Sequence, residues 1–164
     1  MDFIWSPWRY AYMASAGKAE AAPSCVFCIG EDQTRDADRL VLHRGVHNFI
    51  ILNLYPYTSG HLMVMPYAHL NSIVQASSAQ TAEMMDLVRG GIQALTEVYH
   101  PEGFNVGMNL GHVAGAGVRD HFHMHVVPRW AGDSNFMTVT GETRVLPEEL
   151  PATYRRLQAA LRIT

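Results

Sequence analysis

The segment HFHMHVVPR, residues 121–129, alternates two kinds of chemistry at single-residue steps. Successive side chains of a β-strand point to opposite faces. His121, His123 and His125 then share one face, and Phe122, Met124 and Val126 share the other. A strand written this way needs an apolar layer behind it and leaves a chemically reactive row in front. Three readings of that row stay open on the residues alone: a metal site, a nucleophile, or a polar face. Same-face neighbours on one strand lie ~6.6–7 Å apart, and His121 and His125 about twice that. Two neighbours can converge on one ion far more readily than all three, so separate roles are the better reading.

Other segments supply the apolar layer. RLVLH (39–43) and HNFIILN (47–53) flank a short glycine-containing link and predict a hairpin. HLMVMP (61–66), FNVGMNL (104–110) and 121–129 complete five strands. A helix is predicted over about 78–100. Ser77 and Gln80 suit a capping box, and Met84, Leu87 or Val88, Ile92 and Leu95 recur at helical steps. Gly90 and Gly91 weaken it by on the order of 1 kcal/mol each, and close packing on a neighbour is the plain reason to tolerate them. A second helix is predicted from about 147, with Pro147 near its start and Leu150, Tyr154, Leu157 and Leu161 as its stripe. Residues 14–24 read as a flexible connector and 30–38 as a polar loop. The expected fold is α+β, an antiparallel five-stranded sheet with helices packed on one side. The expected organisation is an aromatic arm and linker over 1–24, a core domain over 25–130 and an extension with a helix over 131–164.

Composition removes several function classes. Charged residues make up 16% and hydrophobic residues 48%, which argues against disorder over most of the length. A formal net charge of −3 argues against a general nucleic-acid binder but leaves room for one local phosphate pocket. No apolar run approaches the ~18 residues of a membrane helix. MDFIWSPWRYAYM lacks a basic segment followed by an apolar one, so a cytoplasmic location is expected by default. The two cysteines, Cys25 and Cys28, form a C-x-x-C pair. In a reducing compartment this reads as metal ligands or a redox pair rather than a structural disulfide. As a metal site it supplies half of a tetrahedron. Gly115 and Gly117 of GAGV let backbone N–H groups approach an anion, and Arg129 adds a fixed positive charge. His43, His47, His100 and His112 read as surface residues, and Met63, Met65, Met84 and Met85 as packing residues. Trp130 suits either the border of a substrate pocket or the core.

HFHMHVV fits the pattern His-φ-His-φ-His-φ-φ and resembles the histidine triad (HIT) family of nucleotide hydrolases and transferases. FIILNLYPYTSGHLMVMPYAHLNSI (49–73) resembles that family's F-x-x-x-N and G-H-x-x-V-x-P elements with a trailing histidine. MNLGHVAGAGV (108–118) resembles its glycine-rich approach to the triad. The resemblance spans residues 25–130. WSPWR and PRWAGDSNFM are similar to a bacterial branch that includes dinucleoside polyphosphate phosphorylases.

The resemblance implies that His123 attacks an α-phosphorus and carries a nucleotidyl group. It implies that His125 donates a hydrogen bond to the phosphate or the leaving oxygen. Asn109 matches a phosphate contact and Asn53 a sugar contact, with Gly115, Gly117 and Arg129 on the substrate side. His61 is expected to orient the triad from behind. The bacterial branch implies a structural zinc held by Cys25, Cys28, His69 and His121, and the family implies a homodimer. One departure stands out. Family hydrolases often place Gln and then Ser or Thr after the loop glycine, whereas this chain has GAGV and one extra residue before His121. The expected reaction is therefore nucleotidyl transfer from a dinucleoside polyphosphate such as diadenosine tetraphosphate, with inorganic phosphate rather than water as acceptor. The alternatives are a nucleoside phosphoramidate or nucleotide hydrolase of the same family and a non-catalytic nucleotide-binding scaffold.

Overall fold

The computed structural model describes residues 25–133 and 148–163. The expected arm over 1–24 and Pro147 lie outside the described residues. Five strands form one antiparallel sheet: β1 Val41–Arg44, β2 Asn48–Leu52, β3 Leu62–Pro66, β4 Gly103–Gly107 and β5 Met124–Arg129, in the order β1-β2-β3-β5-β4. The helices are α1 Asp36–Arg39, α2 Ser78–Tyr99 and α3 Leu150–Ala160, with 3-10 turns at Gln33–Arg35 and Ile73–Gln75. No described helix is long and apolar enough to cross a membrane.

The two faces of the sheet differ, as the alternation requires. Leu42, Ile50, Leu52, Leu62, Val64 and Val126 point to α2 and α3, where they meet Met84, Leu87, Leu95, Tyr154 and Leu157. The opposite face carries a smaller cluster of Ile29, Val41, Phe49, Ile51, Met63 and Met65. Met63 pairs with Ile51 on one side and His125 on the other. Directly opposed residues share a face, so His125 lies on the face away from α2.

Helix α2 begins as expected. The Ser77 side chain accepts from the Gln80 N–H, and the Gln80 side chain accepts from the Ser77 N–H at 2.8 Å. The glycine pair is a contact surface. A Cβ on Gly91 would lie 3.0 Å from Leu62, and one on Gly90 2.7 Å from Ile163. Burying a leucine contributes about 1.5–3 kcal/mol, against about 1 kcal/mol lost per helical glycine, so the close approach wins.

Several boundaries differ from the sequence expectation. The fifth strand starts at Met124 rather than His121 because the Phe122 N–H donates to the Leu70 carbonyl at 2.7 Å. This bond pulls residues 121–123 off the ladder. The fourth strand then ends at Gly107, opposite His125, because residues 108–110 have no strand left to pair with. The loop over 30–38 contains two helical turns. The Asp32 carboxylate accepts from the Thr34 N–H at 3.0 Å and starts the first; Leu40, in a left-handed conformation, ends the second. Met85 is 49% exposed and is not a core residue. In α3 the buried side chains are Thr153, Tyr154 and Leu157, with Leu150 and Leu161 only partly covered.

One ionised group ties the first hairpin to α2. Glu83 accepts from the Val46 N–H at 2.6 Å, the His47 N–H at 2.8 Å and Asn48 Nδ2 at 2.7 Å. Burial alone would raise its pKa. The bonds from Asn48, His47 and Val46 together outweigh burial and hold the carboxyl below its ordinary value of 4.5. Stabilisation of this sign is complete above the unfolded value and disappears as pH falls through the folded one. Glu83→Gln is expected to cost about 1–2 kcal/mol at neutral pH, with the cost shrinking toward ~pH 3. Urea unfolding of both proteins at the two pH values checks this; an equal loss at both contradicts it.

Candidate active site

The three histidines of the row take three different surroundings. His121 is fully buried, and its Nε2 donates to the Pro66 carbonyl at 2.8 Å. Its other nitrogen, Nδ1, faces the cysteines. His123 is 5% exposed, and its Nδ1 donates to the His121 carbonyl at 3.0 Å. Burial pushes the His123 pKa down, against a smaller upward effect of that bond, so the neutral ring is favoured. His125 is half-buried in β5, with its ring 4.8 Å from that of His123.

The proton positions follow from the neighbours. Gly60, at φ 80°, turns the chain into His61, and a Cβ there would lie 2.7 Å from Leu95. His61 is fully buried. The backbone N–H of Tyr57 donates to His61 Nδ1 at 3.1 Å, and Asn53 Nδ2 approaches the same atom at 3.3 Å. Asn53 Oδ1 accepts from the Tyr55 N–H at 2.9 Å, which sets the orientation of that amide. With donors on Nδ1, the neutral His61 ring carries its proton on Nε2. Nε2 lies 2.9 Å from His125 Nδ1 and donates to it. The neutral His125 ring then carries its own proton on Nε2. His123 is the reverse case: Nδ1 holds the proton and Nε2 holds the lone pair. A nucleophile-type nitrogen and a donor-type nitrogen thus sit side by side.

These atoms line a cavity of about 420 Å³. One part of its wall is apolar, with Phe27, Ile29, Leu40, Ile51, Leu54 and Met63; another is polar, with Asn53, Asn109, Gly115, Gly117, His123 and His125. The structure therefore brings together Asn53, Asn109, Gly115, Gly117, His123 and His125. It does not bring Arg129 to them: Arg129 is absent from the lining and holds Asp133 at 2.6 and 2.8 Å and Asn105 at 2.6 Å. Arg129 lies four residues beyond His125, at the other end of β5. Trp130 is half-buried and also absent from the lining. The loop glycines are partly used within the loop. The Gly115 N–H donates to the His112 carbonyl at 3.0 Å, and the Ala116 N–H to Gly111 at 3.3 Å. Sequence reasoning missed Phe27 and Tyr57. Phe27 stands edge-on to His123 with ring centres 5.1 Å apart, and its place inside C-x-x-C was the one available signal.

Cys25, Cys28, His69 and His121 converge, and their ligand atoms lie within 4.8 Å of one another. A tetrahedral zinc with bonds of about 2.3 Å to sulfur and 2.0–2.1 Å to nitrogen has S···N edges of about 3.5 Å. The Cys25–His121, Cys28–His69 and Cys28–His121 pairs are 3.5, 3.4 and 3.9 Å apart. The Pro66 carbonyl on His121 Nε2 is the outer partner that leaves Nδ1 as the ligand. The four residues could hold a metal ion. Nitrogen-15 correlation spectra of the imidazoles at ~pH 8 are expected to show Nδ1–H at His123 and Nε2–H at His61 and His125; Nε2–H at His123 contradicts the arrangement.

The HIT domain profile matches residues 34–132. The protein named AP-4-A phosphorylase of Mycobacterium tuberculosis is 40% identical over 159 residues, covering 94% of this chain and 81% of the relative. Adenosine 5'-monophosphoramidase hnt1 of Schizosaccharomyces pombe is 27% identical over 129 residues, covering 79% of this chain and 92% of the relative. The crystal structure of a Zn-bound histidine triad family protein from Mycobacterium smegmatis superposes with a TM-score of 0.66 at 29% identity, covering 84% of this chain and 93% of that one. The chain therefore belongs to the HIT domain family, the histidine triad proteins.

Proposed function

We propose that the chain transfers a nucleotidyl group from a dinucleoside polyphosphate such as diadenosine tetraphosphate to inorganic phosphate, through a covalent intermediate on His123. The observation that carries this reading is the opposed hydrogen bonding of neighbouring imidazoles, with His123 Nδ1 3.0 Å from the His121 carbonyl and His125 Nδ1 2.9 Å from His61 Nε2. The likeness to a protein named AP-4-A phosphorylase supports the substrate class.

The steps follow from the proton positions. His123 Nε2 uses its lone pair to bond the α-phosphorus, and the bond from that phosphorus to the bridging oxygen breaks. The His121 carbonyl stabilises the positive charge that develops on the ring, because it already accepts Nδ1–H. His125 Nε2–H stabilises the leaving oxygen as charge builds on it. A nucleoside triphosphate departs from the tetraphosphate. A phosphate oxygen then attacks the same phosphorus, the P–N bond breaks, and a nucleoside diphosphate forms with neutral His123 restored. Asn109 and the Gly115–Gly117 loop hold phosphate oxygens, Asn53 the sugar, and the apolar wall the base. The small Gly115, Ala116 and Gly117 leave room for phosphate where a longer side chain would direct water.

Cys25, Cys28, His69 and His121 would hold a zinc ion, which would supply a structural cross-link and no open coordination position. A pairing of two copies along the β4 edge, where Val106 is 42% exposed, would give the expected homodimer.

Diadenosine tetraphosphate incubated with the protein is expected to give ADP and ATP when phosphate is present. Equal AMP and ATP output with and without phosphate contradicts phosphorolysis. His123→Ala is expected to lower turnover by at least about a thousandfold, as for loss of a nucleophile; unchanged turnover removes His123 from the reaction.

A further inference from the structure

No strand or helix holds the turn that leads into His61: residues 53–60 belong to neither. The His61 N–H donates to the Thr58 carbonyl at 3.2 Å and closes the turn. The Tyr57 N–H donates to His61 Nδ1 at 3.1 Å, and the Tyr57 ring lies 4.7 Å from that of His61 and 6.1 Å from that of His125 between centres. A tilt of the turn therefore moves the donor that leaves the His61 proton on Nε2. The turn is tied to the sheet at Thr58, whose hydroxyl donates to the Pro128 carbonyl at 2.9 Å. It is tied to α2 at Gly60, where a Cβ would lie 2.7 Å from Leu95 and 3.3 Å from the Tyr99 ring.

The two α2 contacts differ in what fixes them. Leu95 is fully buried in the main core. Tyr99 is half-buried and is the last residue of α2, because His100 leaves the helix in a left-handed conformation at φ 47°. Its ring has no later helical turn beside it. The C-terminal segment takes that place. The Tyr99 hydroxyl donates to Glu148, which also accepts from Thr153 Oγ1 at 2.8 Å and from Arg156 Nη1 at 2.7 Å. Arg156 lies over the Tyr99 ring at 4.7 Å and donates from Nη2 to the Val98 carbonyl at 3.0 Å. Helix α3 is itself fixed to β1, since the Tyr154 hydroxyl donates to the Val41 carbonyl at 3.1 Å.

We infer that Tyr99 is a positioning residue for His125. Clamped by Glu148 and Arg156, its ring braces the 57–60 turn at Gly60; the turn sets His61, and His61 sets the ring of His125. The segment around α3 then serves the reaction from a distance, since neither Tyr99 nor any described residue of 148–163 lines the cavity. Leu95 and Thr58 hold the turn as well, so loss of the Tyr99 brace shifts His61 rather than freeing it. This rests on the donor role proposed for His125, which the same experiment tests separately.

The test is steady-state phosphorolysis of diadenosine tetraphosphate by wild type, Tyr99→Ala, Tyr99→Phe, His125→Ala and the double variant Tyr99→Ala/His125→Ala, with folding followed by urea unfolding. Tyr99→Ala is expected to lower kcat about tenfold with KM unchanged, short of the ~100-fold or more that loss of a whole donor costs. Tyr99→Phe keeps a ring on Gly60 and is expected to recover most of that loss. In the His125→Ala background Tyr99→Ala is expected to cost less than about twofold, because residues that act through one group give non-additive losses. Wild-type kcat in Tyr99→Ala, a rise in KM at unchanged kcat, or losses that multiply in the double variant overturn the inference and leave the donor role standing. Should Tyr99→Ala not fold, Glu148→Ala decides on the same readouts, and unchanged kcat overturns the inference. His125→Ala at wild-type turnover overturns the donor role and the inference with it. Imidazole nitrogen spectra give a readout independent of turnover: Tyr99→Ala is expected to shift the His61 and His125 signals, and unchanged signals overturn the brace.

Discussion

The bond from His123 Nδ1 to the His121 carbonyl, 3.0 Å long, is the contact on which the site depends. It fixes one tautomer and so leaves the lone pair on Nε2, inside the cavity. That carbonyl is available because residues 121–123 have left the sheet. A strand carbonyl would point along the ladder toward a neighbour, whereas here the Phe122 N–H turns to Leu70 and frees the segment. The His121 side chain holds the same segment from behind through Pro66. One short departure from regular structure therefore supplies a buried ring beside Cys25, Cys28 and His69, a carbonyl acceptor for His123 and a cavity wall.

The second half of the site is built by regular structure. His125 stays in β5, opposite Met63, and receives its hydrogen bond from His61 at the start of β3. His61 in turn is set by the Tyr57 and Asn53 donors and by the turn at Gly60, which packs against Leu95 of the main core. His125 is thus anchored through α2 and His123 through the Leu70 and Pro66 contacts. Two independently fixed rings, 4.8 Å apart, meet at the cavity. In the proposed reaction, rings held in this way would need no rearrangement as charge develops.

Much of this was legible in the chain because strand alternation and helix capping are local rules. The two faces of the sheet, the Ser77–Gln80 box and the packing role of Gly90 and Gly91 follow from pattern and composition. The convergence of Cys25, Cys28, His69 and His121 came through family resemblance and not from spacing, since 41 residues separate Cys28 from His69. What could not be read was set by partners distant in sequence. The early end of the ladder needs Leu70, the capture of Arg129 needs Asp133 and Asn105, and the wall role of Phe27 needs the cavity. Charge alone placed Arg129 at the substrate. The structure pairs it with Asp133, through bonds of 2.6 and 2.8 Å.

The central claim is a covalent bond between His123 and the transferred nucleotidyl group. Rapid quenching of the protein with diadenosine tetraphosphate in the absence of phosphate, followed by peptide mapping under alkaline conditions, tests it directly. The account predicts one adenylyl group, labile to acid, on the peptide carrying His123 and absent after addition of phosphate. Turnover with no such adduct, or an adduct on His125 instead, would contradict it.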